Sequence, residues 1–498
     1  MKQKKIIATL LAASMTMGLF VAEGMTALAD DYDQVVYAYA TFNNIPSEED
    51  LDVVEEAINE ITREKIGAEI TLKPIGIADY SSSVSLSLQA GEKIDLFESL
   101  GNFNNCVSTG MAYDITELLD TCAAESKELM GEAWLEACSK DGSVYGLPTY
   151  KPVALTPMVI YRQDIADELE LDMSAVNSYE DLTDILRAVK EAKPDMTPLA
   201  PTQAGTIGMI NTLGDIDWLT DDYTEPKGVL IGDDMTVSDL YSTDLFKEKC
   251  ELVRSWYTEG LVMQDAATTT SMAAELMSSG NYFCYVASYS YPEEDTAASL
   301  QAQCGSYELG AKMIGDAYLS TADINALTWI VASNTKVPEA ALKFLNLTFT
   351  DEDVCNLLIY GIEGRDYVKA EDGSVSYPEG EDAATVPYTA QLSCGTLGNF
   401  FIMYPTAGTN PDSLEWELEQ NQNAKTSAAM GFTFDSSKLK TQYTAVSNVI
   451  QQYLPGLQCG SIDPETEIPK FVEALNNAGF QDIISAKQEQ LDAWLAAQ

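Results

Sequence analysis

The chain has 498 residues, with 28 basic side chains, 78 acidic side chains and no histidine. A formal charge of −50 repels phosphate backbones and anionic lipid, so we expect no nucleic acid among the partners. The lack of histidine excludes Ser-His-Asp and Cys-His catalysis and imidazole-based zinc sites, and we expect no metal and no cofactor.

The first 29 residues have the parts of an export signal. Lysines open the chain, a mostly apolar run spans 6–22, and Ala27-Leu28-Ala29 fits a small-x-small cleavage site. We therefore expect an exported protein in the periplasm or at the cell surface. The alternative is that the segment is an uncleaved signal anchor. No cysteine precedes Cys106, so the signal lacks a lipid-attachment cysteine.

The segment that follows alternates between strand and helix patterns. Buried strands are predicted at 35–40, 69–75 and 94–97. Helices are predicted between them, the first capped by Ser47 and the second ending at Gly91. Strand–helix–strand alternation predicts a parallel, doubly wound sheet, and the chain length predicts two or three domains.

Two loops follow the first and third predicted strands, and both are rich in amides. Since parallel sheets place ligands at the carboxyl ends of their strands, Asn43, Asn44, Asn102 and Phe103 are candidate ligand-binding residues. The alternative is that Asn and Gly only form turns here.

A second α/β region is predicted further along the chain. It begins with a strand at 158–161 and contains an acidic, Gly-rich loop at 215–239 that carries Trp218, a further candidate ligand-binding residue. The strand predicted at 282–291 has four tyrosines in ten residues. Tyr289 and Tyr291 share one strand face and are candidates for the aromatic wall of a ligand pocket. Ordinary aromatic β-propensity is the alternative.

Residues 333–367 predict two consecutive helices and a polar turn. Pro338 lies in the first turn of the first helix, and Thr350 begins a capping-box pattern for the second. Gly361 ends the second helix, and the turn that follows carries Glu363, another candidate ligand-binding residue. From residue 436 onward the pattern is helical.

Several stretches carry a resemblance to a known family. They are LQAGEKID at 88–95, GMAYDITELL at 110–119, DGSVYGLP at 141–148, PEAALKFLN at 338–346, YGIEGRDY at 360–367 and the closing run at 490–495. In these the chain resembles the extracellular solute-binding proteins of ABC importers, in the carbohydrate-binding, maltose-binding-protein-like branch with a long C-terminal extension.

The resemblance implies an α/β fold of two doubly wound lobes joined by three hinge crossings, of the type II periplasmic-binding-protein kind, with C-terminal helices. The implied first lobe comprises residues 30–149 and 290–326, and the second comprises 150–289 and 327–435. Residues 436–498 would form helices that pack on the lobes. Tyr150 and Trp329 lie next to implied crossings and join the candidate residues.

The resemblance also implies a function. A monomer would capture a carbohydrate, expected to be an oligosaccharide, in the cleft between the lobes and deliver it unchanged to an ABC permease. Three alternatives remain open: a secreted carbohydrate-active enzyme with a carboxylate pair, a binding protein for a peptide or other small solute, and an adhesive surface protein. The pairing of the nine cysteines is left open.

Overall fold

The computed structural model describes residues 32–42, 45–390 and 395–497. The predicted export signal over 1–29 and the predicted ligand-binding residues Asn43 and Asn44 lie outside the described residues. The strands are β1 Asp33–Thr41, β2 Ala68–Gly76, β3 Leu96–Glu98, β4 Ser139–Lys140, β5 Ser143–Val144, β6 Leu147–Pro148, β7 Thr156–Arg162, β8 Thr197–Leu199, β9 Ile216–Asp217, β10 Leu230–Ile231, β11 Tyr282–Tyr289, β12 Leu309–Met313, β13 Tyr318–Leu319, β14 Thr328–Val331, β15 Val368–Lys369, β16 Val375–Ser376 and β17 Lys425–Thr426.

The α-helices occupy most of the chain between these strands and after them. They are α1 Glu48–Ile66, α2 Ile77–Ala90, α3 Phe103–Ser108, α4 Leu119–Cys122, α5 Ala124–Glu136, α6 Gln163–Glu168, α7 Leu182–Ala192, α8 Asp244–Thr258, α9 Ala273–Ser278, α10 Glu293–Gln301, α11 Thr321–Asn325, α12 Pro338–Thr350, α13 Glu352–Tyr360, α14 Pro411–Asn423, α15 Lys440–Gln458, α16 Pro464–Asn477 and α17 Phe480–Leu495.

The first sheet has the strand order β2-β1-β3-β14-β6. Strand β1 is parallel to both β2 and β3, as the strand–helix alternation predicted. Helix α1 begins where the Ser47 hydroxyl accepts the Asp50 N–H (3.2 Å), and it ends at Gly67, whose φ of +66° suits glycine. Because helices cover both faces of the sheet, β1 is buried along most of its length.

The second sheet has the order β12-β7-β11-β8. Strand β7 is antiparallel to both β11 and β12, whereas β11 is parallel to β8. Every residue of β7 is buried, which is expected for a strand with neighbours on both sides and helices on both faces. Each sheet therefore forms the centre of its own hydrophobic core, called here the first core and the second core.

The strand pairing places much of the segment 327–435 differently from the sequence-based expectation, which assigned all of it to the second lobe. Strand β14 is antiparallel to β3 and β6 in the first sheet. Helices α12 and α13 also belong to the first core, where Phe344 packs edge-on against Tyr37. The apolar runs identify these elements as buried, but the identity of the partner strand is a tertiary property that the pattern does not contain.

Residues 290–313, which were expected in the first lobe, also lie elsewhere. Helix α10 packs against β12, and Ala297 belongs to the apolar cluster on one face of the second sheet. Ile314 contacts the second core, but Ala317 and Leu319 contact the first. The chain therefore crosses between cores near residues 314–317, about 25 residues later than expected.

The predicted C-terminal helices are α15, α16 and α17, and they pack into the second core. Val446, Phe471 and Ile483 are fully buried there. The remaining crossing therefore lies between Ala424, which contacts the first core, and Leu439, which contacts the second.

The eight cysteines within the described residues are all buried thiols. Their distribution fits small apolar core residues rather than a disulfide framework. Among the helices that the structure describes, none is both long enough and apolar enough to span a bilayer.

Candidate functional site

The carboxyl ends of four strands share one edge of the first sheet. Strands β1, β2 and β3 are parallel, and β6 has the same direction because both β3 and β6 are antiparallel to β14. The chain leaves this edge directly after β6, at Thr149. The loops that follow β1 and β3 begin at the same edge.

The second sheet presents its own carboxyl ends to the same crossing. The chain enters this sheet at Thr156, the first residue of β7, which pairs with Tyr289 at the end of β11. Met313, at the end of β12, pairs with Met158. Residues 149–155 therefore connect the carboxyl edge of one sheet to the carboxyl edge of the other. We call the space between these edges the interlobe cleft, because ligands of open α/β sheets bind at such edges.

Side chains of helix α14 hold the crossing segment 149–155 in place. The Asn421 side-chain oxygen accepts the backbone N–H groups of Val153 (3.0 Å) and Ala154 (3.1 Å), and its amide nitrogen donates to the Lys151 carbonyl (2.7 Å). One turn earlier, Glu417 accepts a hydrogen bond from the Ser290 hydroxyl (2.9 Å), just beyond β11. One helix thus joins the first crossing to the carboxyl end of the second sheet.

A buried carboxyl group lies at the end of β3. Glu98 is 2% exposed, and neither of its oxygens has a hydrogen-bond partner in the described part of the chain. Burial raises the pKa of Glu98 well above its usual range, an effect that the nearby Lys151 opposes. Burial in turn lowers the pKa of Lys151. Glu98 and Lys151 are therefore two partly desolvated side chains at the base of the cleft.

A hairpin of the second lobe carries two aromatic side chains. Strands β9 and β10 pair, and we call residues 215–231 the 215–231 hairpin. Trp218 on it is half-buried, and Tyr223 is 40% exposed. At its base, the Asp217 carboxylate accepts a hydrogen bond from the Ser427 hydroxyl (2.6 Å). Ser427 directly follows β17, which pairs with β13 from the second crossing, so the hairpin base lies against the crossing segments.

Three predicted site residues are buried in cores. Trp329 is fully buried and stacks on Tyr37, with ring centroids 4.2 Å apart. Tyr150 is buried between Trp134 and other rings of the first core. Phe103 is 2% exposed and belongs to a third apolar cluster, on the other face of the first sheet.

The other described candidates have accessible surface. Asn102 is exposed in the loop after β3, and Tyr289 and Tyr291 are half-buried at the carboxyl end of β11. Glu363 is exposed on a turn whose Arg365 donates to the Asp50 carbonyl (3.4 Å) at the start of α1. Asn102, Tyr289 and Tyr291 therefore lie at the facing edges, whereas Glu363 lies beside the helix that follows the β1 loop.

Sequence reasoning missed some features of the site. Helix α14 was not predicted, although Asn410 followed by Pro411 is a recognisable helix start, and the Asn410 side chain does accept the Asp412 N–H (3.1 Å). Phe42, in the loop after β1, is 56% exposed at the rim of the first sheet and was not singled out.

Comparison with family models gives two matches. A model described as bacterial extracellular solute-binding protein matches residues 46–354, which is more than half of the chain. A model described as a domain of unknown function, DUF3502, matches residues 428–496. The second match covers the C-terminal helices.

Similar proteins are found among both sequences and structures. A carbohydrate ABC transporter substrate-binding protein from Streptococcus pneumoniae is 25% identical, over 99% of this chain and 98% of its own length. The N-glycan transport solute-binding protein NgtS from Streptococcus pneumoniae superposes with a TM-score of 0.75 at 23% identity, covering 93% of this chain and 99% of that one. The same protein in complex with Man5GlcNAc gives 0.60 at the same identity and coverage.

Proposed function

Because this chain belongs to the family of bacterial extracellular solute-binding proteins, we propose that it captures a carbohydrate in the interlobe cleft and delivers it to the permease of an ABC importer. Its fold is the predicted type II periplasmic-binding-protein fold, with two α/β lobes and C-terminal helices. The observation that carries the proposal is the pair of carboxyl edges that face each other across residues 149–155.

We propose a neutral oligosaccharide as the ligand. Sugar rings present apolar faces that stack on aromatic side chains, and their hydroxyl groups bond to amides and carboxylates. Trp218, Tyr289 and Tyr291 supply aromatic surface on the second lobe. The full-length similarity to a carbohydrate ABC transporter substrate-binding protein supports this class of ligand, as do the glycans bound by NgtS.

We further propose how the candidate residues divide. Asn43, Asn44, Asn102 and Glu363 would contact the ligand from the first lobe. The buried side chains of Phe103, Tyr150 and Trp329 would support the cleft from behind. The first lobe would comprise residues 32–154 and 317–424, and the second 156–314 and 439–497.

Ligand capture would close the lobes. A ligand shifts a conformational equilibrium only through its different affinity for the two states, and a sugar that touches both edges stabilises the closed one. The protein would act as a monomer, and its family places it outside the cytoplasm.

Thermal unfolding with a panel of compounds tests the function. A ligand at about 100 times its dissociation constant stabilises the folded state by roughly 2.7 kcal/mol. We expect at least one neutral oligosaccharide to raise the melting temperature, whereas peptides leave it unchanged. Mass spectrometry should recover that oligosaccharide intact. A shift with peptides alone, or a cleaved glycan, would show that the proposal is wrong.

Tyr291→Ala should weaken the affinity for the stabilising oligosaccharide at least tenfold, or about 1.4 kcal/mol. Tyr291 is half-buried just beyond the carboxyl end of β11, so its ring can stack on a sugar. Isothermal titration calorimetry measures the affinity. The matched control is Tyr307→Ala, because Tyr307 is also half-buried but stacks on Arg162 at the opposite end of β7. Equal affinities for the wild type and Tyr291→Ala would remove Tyr291 from the site.

A further inference from the structure

A lysine from the last helix reaches into the base of the 215–231 hairpin. Lys487 on α17 is fully buried, and its Nζ lies 2.7 Å from the Asp221 carboxylate. The same nitrogen donates to the carbonyl oxygens of Gly228 (2.9 Å) and Trp218 (3.4 Å). One ammonium group therefore contacts the hairpin at three positions along its length.

A buried ammonium group such as that of Lys487 has to be explained by some advantage over an apolar side chain. Removing an ammonium and a carboxylate from water is costly, and an apolar pair of similar volume often serves stability equally well. Buried polar groups that persist can instead select one conformation among several, as single buried polar residues do in coiled coils. The two carbonyl contacts of Lys487 give it such selectivity, because they require the hairpin backbone to adopt one path.

The hairpin backbone at this point is unfavourable on its own. Leu219 and Thr220 have φ of +49° and +71°, in the left-handed region that side chains other than glycine rarely adopt. Such conformations persist where the surroundings hold them. Both residues follow Trp218 directly and precede Asp221, so the anchored residues flank the strained pair. Without the anchor this segment would relax, and the Trp218 side chain would move with it.

Other contacts from the C-terminal helices support the same hairpin and the loop after it. The Tyr443 hydroxyl lies 3.2 Å from the Asp221 carboxylate, and Gln451 donates to Glu225 (2.6 Å). Gln488 accepts the Val237 N–H (2.7 Å) and donates to the Met235 carbonyl (3.1 Å). All three residues belong to the segment matched as a domain of unknown function.

We propose that these C-terminal helices set the conformation of the 215–231 hairpin and thereby the ligand selectivity of the cleft, with Lys487 as the positioning residue. The part that concerns the ligand rests on the proposed carbohydrate function. The part that concerns the hairpin does not, and it is tested without any ligand.

Hydrogen exchange of the full-length protein tests the hairpin. We expect Lys487→Met to accelerate exchange at residues 215–231 at least tenfold, with the first sheet unchanged. Lys470→Met is the matched control, since Lys470 is exposed on α16 and pairs there with Glu467. If Lys487→Met does not fold, the double variant Lys487→Met/Asp221→Asn removes both charges and leaves an amide oxygen for the Lys227 N–H to donate to. Unchanged hairpin exchange in the folded variant would overturn the proposal.

A double-mutant cycle tests the effect on the cleft, with Man5GlcNAc and the other oligosaccharides of the panel as probes. Trp218→Ala and the lysine variant should each weaken binding at least fivefold. Combined, they should weaken it no more than about twofold beyond the stronger single change, because Lys487 acts through Trp218. Effects that multiply would overturn the positioning role. If no oligosaccharide binds the wild type, the proposed function fails, and hydrogen exchange alone then decides whether the helices hold the hairpin.

Discussion

Trp329→Ala should lower the free energy of unfolding by about 3–5 kcal/mol, the range for truncating a large buried aromatic side chain. The indole is fully buried, stacks on Tyr37 and donates its N–H to the Thr396 carbonyl (2.7 Å). The substitution leaves a cavity beside the Tyr37 ring and removes that donor. Urea unfolding followed by circular dichroism measures the change.

Two further substitutions show whether the loss of stability in Trp329→Ala comes from the buried ring, from its N–H group or from neither. Trp329→Phe keeps an aromatic ring against Tyr37 but loses the N–H, so it should cost less than the alanine variant. Trp218→Ala removes a half-buried indole from the 215–231 hairpin and should destabilise the free protein least. If Trp329→Ala unfolds at wild-type urea concentrations yet loses oligosaccharide affinity, Trp329 is a ligand contact and its role as core support is wrong.

Elements with strong local signals were predictable from the sequence. The Ser47 cap, the apolar face of α1 and the Gly67 stop are encoded within 20 residues, and the structure has each of them. The parallel pairing of β1, β2 and β3 follows from the strand–helix alternation, because a helical crossover returns the chain in the same direction.

The assignment of elements to lobes was not predictable in the same way. Strand β14 is a short apolar run, and nothing within it distinguishes a position between β3 and β6 from a position in the other sheet. The same holds for the site. Trp218 and Trp329 both appear as tryptophans near turns, but only the fold makes one half-buried and the other fully buried.

The contacts of helix α14 depend on long-range packing too. Asn421 and Glu417 lie on a helix with only a weak apolar pattern, and their partners are more than 100 residues away in the chain. No local signal connects them to the first crossing or to β11. The buried carboxyl group of Glu417 nevertheless leads to a prediction about how stability depends on pH.

Stability should fall as the pH rises from about 4.5 to about 8, and Glu417→Gln should remove a large part of this fall. Burial raises the pKa of Glu417 to about 7, from an ordinary value of 4.5, and the nearby Asp295 adds to the effect. Below pH 4.5 the carboxyl is protonated in both folded and unfolded chains. Between the two pKa values only the folded chain keeps the proton, so each increase in pH favours unfolding. Above pH 7 the loss is complete, at about 3 kcal/mol.

Urea unfolding of the wild type and Glu417→Gln at pH 4.5, 6 and 8 measures this effect. The two proteins should be similar at pH 4.5, and the variant should be more stable by about 2–3 kcal/mol at pH 8. Other buried carboxyl groups with raised pKa values, such as Glu98 and Asp217, affect both proteins equally and cancel in the comparison. Glu419→Gln, an exposed change on the same helix, should reproduce the wild-type profile. Parallel profiles for the wild type and Glu417→Gln would mean that Glu417 has the same pKa in the folded and unfolded chains. In that case solvent would have to reach Glu417 between α14 and β11, because its Oε2 atom has no hydrogen-bond partner among the residues that the structure describes.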